Sequence, residues 1–233
     1  MDFHGTLSEG EFTDLILQYA AEALIEITEG QARLMSRHVR IMLEWNSRFN
    51  LTRITAPEEV IIKHLLDSIV PAKYLPSSGN ALDVGSGAGF PGIPLKIVHP
   101  DLQMVLLESS RKKVSFLAAA AASLAVPGIR ALHGSWQDLR QRGENAENAG
   151  KFQLIVMRAI KPEPEHISRL ASSLLAPGGF FARWEVLDSS AEEADIRERK
   201  GKGRFDVEFY GDFDYSLPGV TRRRVVRLWK KGR

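Results

Sequence analysis

Residues 81–98 of this 233-residue chain read Ala-Leu-Asp-Val-Gly-Ser-Gly-Ala-Gly-Phe-Pro-Gly-Ile-Pro-Leu-Lys-Ile-Val. The short apolar run at 81–84 predicts a strand, and the glycines at 85, 87, 89 and 92 predict a loop after it. Pro91 and Pro94 stand where a first helical turn tolerates proline, so a helix is predicted near 91–98. This order of strand, glycine loop and helix brings backbone N–H groups close to a ligand at a helix N-terminus.

An acidic residue closes the next apolar run. Glu108 follows residues 104–107 and lies 21 positions beyond Gly87. At this place a carboxylate can accept hydrogen bonds from ribose hydroxyls. The loop and the acid together predict a cofactor that contains a nucleoside.

The phase of the glycines separates two kinds of cofactor. Residues 87–92 satisfy G-x-G-x-x-G, the dinucleotide fingerprint, which leaves an NAD-dependent oxidoreductase open as an alternative. However, the turn after the strand begins at Gly85, two residues before that fingerprint. The pattern Asp-x-Gly-x-Gly-x-Gly at 83–89 instead resembles motif I of class I S-adenosylmethionine (SAM) methyltransferases.

Composition describes an ordinary globular protein, with 44% hydrophobic and 26% charged residues. No run of about 18 apolar residues predicts a membrane span. Acidic residues at 2, 9, 11 and 14 are unlike a signal peptide, so we expect a cytoplasmic protein. The chain has no cysteine, which excludes disulfides and thiolate ligands, and its six histidines lack metal-ligand spacing. No metal is therefore expected.

Positive charge is concentrated late in a chain whose formal net charge is only +2. One basic cluster lies at 197–204 and another at 222–233. Each cluster could form a solvated surface, or it could form a surface that binds the phosphates of RNA. For the second reading we predict Arg183, Arg222 and Arg224 as RNA-binding residues.

Periodicity divides the chain into an N-terminal helical segment at 1–75 and an α/β domain at 76–233. Helices are predicted from the capping residues Ser8 and Thr55 and over 31–49, with a buried stripe of Leu34, Ile41, Met42, Trp45 and Phe49. Strands are predicted near 81–84, 103–108, 129–133, 153–158 and 179–186, and helices near 91–98, 110–125, 163–175 and 189–199. A final antiparallel pair is predicted at 205–210 and 223–229. Such alternation is typical of a doubly wound sheet.

The chain resembles the RsmG (GidB) family of ribosomal RNA methyltransferases from about Met42 to its C-terminus. The matching segments are W-N…N-L-T at 45–52, H-x-x-D-S at 64–68, D-V-G-x-G-x-G-x-P-G-I-P at 83–94 and Arg-Ala at 158–159. The resemblance implies a class I SAM-methyltransferase (Rossmann-like) sheet behind an N-terminal helical segment. It also implies methylation of guanine N7 in small-subunit (16S) ribosomal RNA.

The loop pattern and the resemblance together name the site. The predicted cofactor-binding residues are Gly85, Ser86, Gly87, Gly89, Phe90, Glu108, Trp136, Gln137 and Arg158. The resemblance places Trp136 and Gln137 at the adenine and Arg158 beside the cofactor. Arg183 stands where the family carries a lysine and would replace its charge.

Arg158, His64 and Asp67 are the candidate catalytic residues. Amine methyltransferases carry an Asp/Asn-Pro-Pro-aromatic motif after the fourth strand, but this chain has Arg158 there. Guanine N7 carries no proton and needs only alignment with the methyl group. His64 and Asp67 stand three residues apart, so they could meet on one helix face, either as a packing pair or as part of a target pocket with Asn46 and Asn50.

The sequence thus predicts a SAM-dependent ribosomal RNA methyltransferase that acts as a monomer on ribosomal RNA or on the small subunit. Three alternatives stay open besides. They are a SAM enzyme for another RNA or a small molecule, the NAD-dependent oxidoreductase, and a ribosome-binding protein with a vestigial cofactor site.

Overall fold

A computed structural model describes residues 7–143, 150–160, 164–187 and 206–232. The predicted helix at 189–199 and the basic cluster at 197–204 lie outside these residues.

The N-terminal part is helical, as predicted. Its elements are α1 (Glu9–Glu22), α2 (Glu29–Phe49), α3 (Pro57–Val60), a π-helical turn (Ile61–Leu66), α4 (Asp67–Ile69) and a 3-10 turn (Val70–Tyr74). Ser8 and Glu11 form the capping box predicted for α1. Thr28 and Gln31 form a second one, which starts α2 two residues before the predicted position. No helix in the described part of the chain is long and apolar enough to cross a membrane.

The third helix begins without the cap predicted at Thr55. Ala56 is its N-cap residue, and no side chain accepts a hydrogen bond from the first turn. Pro57 starts the helix instead, because its missing N–H needs no acceptor there. The chain then widens into the π-helical turn at Ile61–Leu66. Such turns occur often at functional sites, and this one contains His64.

The buried face of α2 differs from the predicted stripe. Met42 is buried, but Leu34, Ile41 and Trp45 are half-buried and Phe49 is 38% exposed. The fully buried face runs through Met35, His38, Val39 and Met42. The stripe was placed about one residue out of phase, because a buried histidine was not counted among the core residues.

Seven strands form one sheet in the order β3-β2-β1-β4-β5-β7-β6. They are β1 (Ser78–Val84), β2 (Asp101–Glu108), β3 (Ile129–His133), β4 (Phe152–Arg158), β5 (Leu175–Val186), β6 (Val207–Leu217) and β7 (Val220–Lys231). β1 to β5 are parallel, while β7 runs antiparallel between β5 and β6. The order reverses at β1, so the carboxyl ends of β1 and β4 mark the crevice where doubly wound sheets bind ligands.

Four helices connect the parallel strands: α5 (Gly92–Val98), α6 (Arg111–Leu124), α7 (Trp136–Gly143) and α8 (Pro164–Leu174). The sequence prediction omitted α7. Ser135 and Asp138, three residues apart, were the sequence signal for the start of this helix. In the structure, Ser135 N donates to Asp138 Oδ2 over 2.9 Å and Asp138 N donates to Ser135 Oγ over 3.2 Å. The antiparallel hairpin of β6 and β7 turns at 218–219 as predicted, although both strands are longer than expected.

One hydrophobic core joins the helical segment to the sheet. Phe12, Met35 and Leu65 from the helices lie in the same cluster as Leu106 and Leu154 from the strands. A second cluster covers the other face of the sheet, where α8 packs. The division of the chain at residues 75 and 76 stays a prediction.

Candidate active site

The glycine loop leaves β1 at the switch point of the sheet. Gly85 N and Ser86 N both donate to Leu107 O of β2, over 2.9 and 3.0 Å. Gly85, Gly87 and Gly89 have φ of 72°, 57° and 87°, in the left-handed region that favours glycine. The loop therefore turns sharply and keeps its backbone against the ends of β1 and β2.

Glu108 lies beside this loop at the end of β2. Its carboxylate accepts hydrogen bonds from Gly87 N over 3.0 Å and from Ser110 N over 2.9 Å. A carboxylate has about four lone-pair positions, so it can still accept from a further hydroxyl. The hydrogen bond between this acid and the glycine loop was not predicted, and the contact of Glu108 with ribose stays a prediction.

Open space lies on one side of the loop. A Cβ at Gly89 would meet Ile93 Cδ1 at 2.5 Å, and one at Gly85 would meet Ile160. A Cβ at Gly87 would meet nothing closer than Gly85 O at 3.8 Å. Gly87 therefore faces the space that a ligand could fill.

Asp83 is buried beneath the loop, and the sequence analysis gave it no separate role. Its Oδ2 accepts from Gly92 N at the start of α5 over 3.0 Å. Its Oδ1 has no hydrogen-bond partner among the residues that the structure describes. Burial raises the pKa of Asp83 to about 7. An acid inside an otherwise apolar strand was the sequence signal for it.

His38 of α2 reaches the same loop and was also missed. Its Nε2 lies 2.9 Å from Ala88 O, so Nε2 carries the proton and donates it to that carbonyl. The ring also packs on Phe90, with centroids 4.7 Å apart. Burial lowers the pKa of His38 to about 4, so the ring is neutral near pH 7.

The three candidate catalytic residues meet at the end of β4. Arg158 NH1 donates to Asp67 Oδ2 over 3.1 Å, and Arg158 NH2 lies 3.3 Å from His64 Nδ1. The guanidinium carbon also stands 5.5 Å from the centre of the Phe90 ring. His64 and Asp67 thus share Arg158 as a hydrogen-bond partner.

His64 is not available as a base in this arrangement. A guanidinium only donates, so Nδ1 of His64 accepts from Arg158 and Nε2 carries the proton. Nε2 lies 3.0 Å from Thr52 Oγ1, to which it donates. Burial, with the nearby charge of Arg158, lowers the pKa of His64 to about 3. The ring therefore orients its neighbours as a neutral group.

Asp67 connects the helical segment to the C-terminal half of the sheet. Its Oδ1 accepts from Arg224 NH1 and from the Tyr215 hydroxyl, each over 2.7 Å. Its main-chain oxygen accepts from Trp184 Nε1, also over 2.7 Å. With Arg158 on Oδ2, one carboxylate lies between two arginines. Asn46 and Asn50 serve the neighbouring turn: Asn46 Oδ1 accepts from Thr52 N over 2.8 Å, and Asn50 caps α2.

The remaining predicted cofactor residues occupy different surroundings. Ser86 Oγ donates to Asp83 O over 3.0 Å and is buried. Phe90 is also buried, with its ring stacked on His64 at 4.8 Å. Trp136 and Gln137 begin α7 after β3, where a contact with adenine stays a prediction.

The predicted RNA-binding arginines do not share one surface. Arg224 forms the ion pair with Asp67 and is only 13% exposed on its side chain. Arg183 is buried, pairs with Glu185 and lies over the Trp229 ring. Arg222 is exposed. A phosphate-binding role is therefore carried forward for Arg222 alone.

Other basic residues of the C-terminal cluster are also paired within the protein. Arg227 is buried and pairs with Asp212 over 2.7 Å and with Glu185 over 3.1 Å. Lys231 donates to Leu175 O over 3.0 Å. Neighbouring strands carry the acidic partners, which the sequence pattern did not reveal.

Comparisons with known proteins agree on the family. Residues 31–207 match the family described as GidB, rRNA small subunit methyltransferase G. Ribosomal RNA small subunit methyltransferase G 1 of Syntrophobacter fumaroxidans is 47% identical over 88% of this chain and 90% of its own length. The methyltransferase G of Myxococcus xanthus is 42% identical over 85% and 86%.

Solved structures agree on the fold. TYW2 of P. horikoshii in complex with MeSAdo superposes with a TM-score of 0.56 at 15% identity, over 73% of this chain and 63% of that one. TrmN from Thermus thermophilus gives 0.52 at 16% identity, over 83% and 53%. At these identities the likeness concerns the fold alone.

Replacing Asp67 with Asn should lower the free energy of unfolding by about 3 kcal/mol, because two partly buried arginines lose the counter-charge of a buried carboxylate. Urea unfolding followed by circular dichroism measures this. Asp214→Asn is the matched control, since Asp214 pairs with Arg223 at an exposed position. That control should cost less than about 1 kcal/mol. Equal losses in the two variants would contradict a structural role for the Asp67 pairs.

His38→Met should weaken SAM binding about fivefold, because the loop carbonyl at Ala88 loses a hydrogen bond that contributes about 1 kcal/mol. His38→Gln keeps an amide donor near the position of Nε2 and should bind almost as the wild type does. Isothermal titration calorimetry compares the two. Equally weakened binding in both would assign His38 to packing only.

The affinity for SAM should rise between pH 6 and pH 8. Asp83 has a pKa of about 7, so it is largely neutral at pH 6 and negatively charged at pH 8. The charged form attracts the positively charged cofactor more strongly. Titrations across this range should show the rise in wild type and a flat profile in Asp83→Asn. The same slope in both would exclude Asp83 as its source.

Proposed function

This chain belongs to the GidB family, rRNA small subunit methyltransferase G, and from that premise we propose that it methylates guanine N7 in small-subunit ribosomal RNA. The observation that carries the proposal is the open face of the loop at Gly87, bordered by the Glu108 carboxylate. SAM, when bound, supplies a methyl group on a sulfonium that is open to nucleophilic attack.

The residues present fit this cofactor. Gly87 leaves room along the loop, and the Glu108 carboxylate stands where ribose hydroxyls can donate to it. The unpartnered Oδ1 of buried Asp83 adds a negative charge that suits a cation. Trp136 and Gln137 would lie at the adenine. This set favours SAM over a dinucleotide, whose pyrophosphate is an anion.

The groups around Arg158 favour an acceptor that has no proton to lose. Among the described residues around Arg158, both ring nitrogens of His64 are engaged and both carboxylate oxygens of Asp67 accept hydrogen bonds. Attack by an exocyclic amine needs a group that receives its proton. Guanine N7 carries a lone pair and no proton, so methyl transfer to it would need no base. Alignment is then the main requirement for catalysis.

Arg158 would position an anion beside the methyl group. Arg158 and Arg224 share the single negative charge of Asp67, so this cluster carries a net charge of +1 with His64 neutral. Such a charge in a partly buried site favours a phosphate of the RNA or the carboxylate of SAM. Arg158 is therefore a catalytic residue in this proposal, while His64 and Asp67 are positioning residues.

Further parts of the proposal concern the setting of the reaction. The enzyme acts as a monomer in the cytoplasm, on naked ribosomal RNA or on the small subunit. Residues 1–75 form a helical segment and residues 76–233 the SAM-binding domain. Arg222, exposed on β7, contributes to RNA binding.

Replacing Gly87 with Val should abolish SAM binding, because the new side chain fills the open face of the loop. Gly87 has a φ of 57°, so valine would also strain the backbone there, and this effect needs its own control. Gly219 offers the match, with φ of 65° and no atom within 4 Å of an added Cβ. Gly219→Val should lose similar stability and keep its affinity for SAM. Normal binding by a folded Gly87→Val protein would refute the placement of the cofactor.

The central experiment incubates the protein with labelled SAM and small-subunit particles and maps the methylated nucleotide. We expect label at N7 of one guanine. Glu108→Ala should weaken SAM binding by about 1.5–3 kcal/mol, as expected for lost hydrogen bonds to a charged group. Label on an exocyclic amine, or no label in small-subunit RNA, would contradict the proposal.

A further inference from the structure

Exposed cations border the cofactor loop where α2 ends and α6 begins. We propose that the α2–α6 basic surface, formed by Arg48, Phe49, Arg53, Arg111 and Lys112, binds a single-stranded segment of the substrate RNA next to the target guanine. This inference rests on the proposed function and names the part of the protein that receives the RNA.

Aromatic contacts bring the two helix ends together. Lys112 Nζ lies 5.9 Å from the centre of the Phe49 ring. One turn further, Trp45 packs edge-on against Phe116, with ring centres 5.9 Å apart. Trp45 also contacts Phe49 at 5.4 Å. The C-terminal end of α2 therefore lies against the N-terminal end of α6.

The cations of this surface have no acidic partner. Arg48, Arg53, Arg111 and Lys112 are exposed, and none forms an ion pair among the residues that the structure describes. Elsewhere on the helices, exposed cations do pair: Arg33 with Glu29, and Lys63 with Glu59. Unpaired positive charge on one face attracts a polyanion.

Both halves of the surface border the candidate active site. Arg111 follows Ser110, whose N–H donates to Glu108 over 2.9 Å. Arg53 follows Thr52, which contacts His64 over 3.0 Å. An RNA strand on this surface would therefore run from the ribose side of the cofactor site towards the Arg158 cluster.

The aromatic ring favours a single strand over a duplex. Phe49 is 38% exposed although it is a large apolar residue. Single-stranded RNA binds to surfaces that combine cations for phosphates with aromatic rings on which bases stack. A duplex keeps its bases stacked within the helix and would contact the cations alone. The α2–α6 basic surface, with Phe49 among four cations, therefore has the composition that a single strand requires.

The test measures binding of naked small-subunit ribosomal RNA, transcribed in vitro, over a range of salt concentrations. The double variant Arg53→Ala/Lys112→Ala should bind more weakly and lower the slope of log affinity against log salt by about 1.4, or about 0.7 for each lost phosphate contact. Its affinity for SAM should not change. Arg130→Ala/Lys151→Ala is the matched control. Both of those residues are exposed near the amino ends of strands, away from the site, and this variant should keep the wild-type slope.

Phe49 provides a second, charge-independent measurement. Phe49→Ala should weaken RNA binding about tenfold without changing the salt slope, as for the loss of one stacked base. Phe49→Tyr keeps the ring and should bind as the wild type does. Equal weakening by both variants would assign Phe49 to packing and overturn the single-strand inference.

Three results would overturn the surface assignment and leave the proposed function standing. The first is an equal loss of RNA binding in the two double variants, which would indicate a general charge effect. The second is unchanged binding of naked RNA with slower methylation of assembled particles, which would indicate a protein partner. The third is a KM for RNA that is the same in the Arg53→Ala/Lys112→Ala variant as in the wild type. Failure of the wild-type protein to methylate small-subunit RNA would instead refute the proposed function.

Discussion

Asp67 connects four strands to the helical segment. Arg158 of β4, Tyr215 of β6 and Arg224 of β7 donate to the two oxygens of its carboxylate, and Trp184 of β5 donates to its main-chain carbonyl. A buried negative charge is tolerated only with such partners, and the partly buried arginines in turn need its counter-charge. Any movement of α4 against the sheet would break several of these hydrogen bonds at once. The position of Arg158 beside the glycine loop depends on this residue.

The glycine loop is fixed from two sides. His38 of α2 donates to Ala88 O, and Glu108 of β2 accepts from Gly87 N. These two contacts restrain the backbone of the loop, and a restrained loop loses less conformational entropy when a ligand binds. One of the two contacts comes from the helical segment. That segment therefore helps to fix the glycine loop.

The sequence was most informative where the pattern is local. The strand at 129–133, the glycine loop and the acid at Glu108 were predicted in place, because apolar runs, glycine spacing and chain length determine them. Contacts between distant residues were not readable. Arg224 pairs with Asp67, 157 residues away, and a strand pattern does not indicate which acid a long side chain will reach. His38 was missed because the sequence does not distinguish a buried histidine from one on the surface.

Net charge is a weak guide to the partner of this protein. The formal charge of +2 is a sum that does not distinguish charges paired inside the protein from charges exposed on its surface. On β7, Arg224 and Arg227 form ion pairs with acids inside the fold, so they present little charge to solvent. At the ends of α2 and α6, Arg53 and Lys112 face solvent and form no ion pair with any acid that the structure describes. Because the field that a polyanion meets depends on unpaired surface charge, a nearly neutral chain can still present a positive face at its active site.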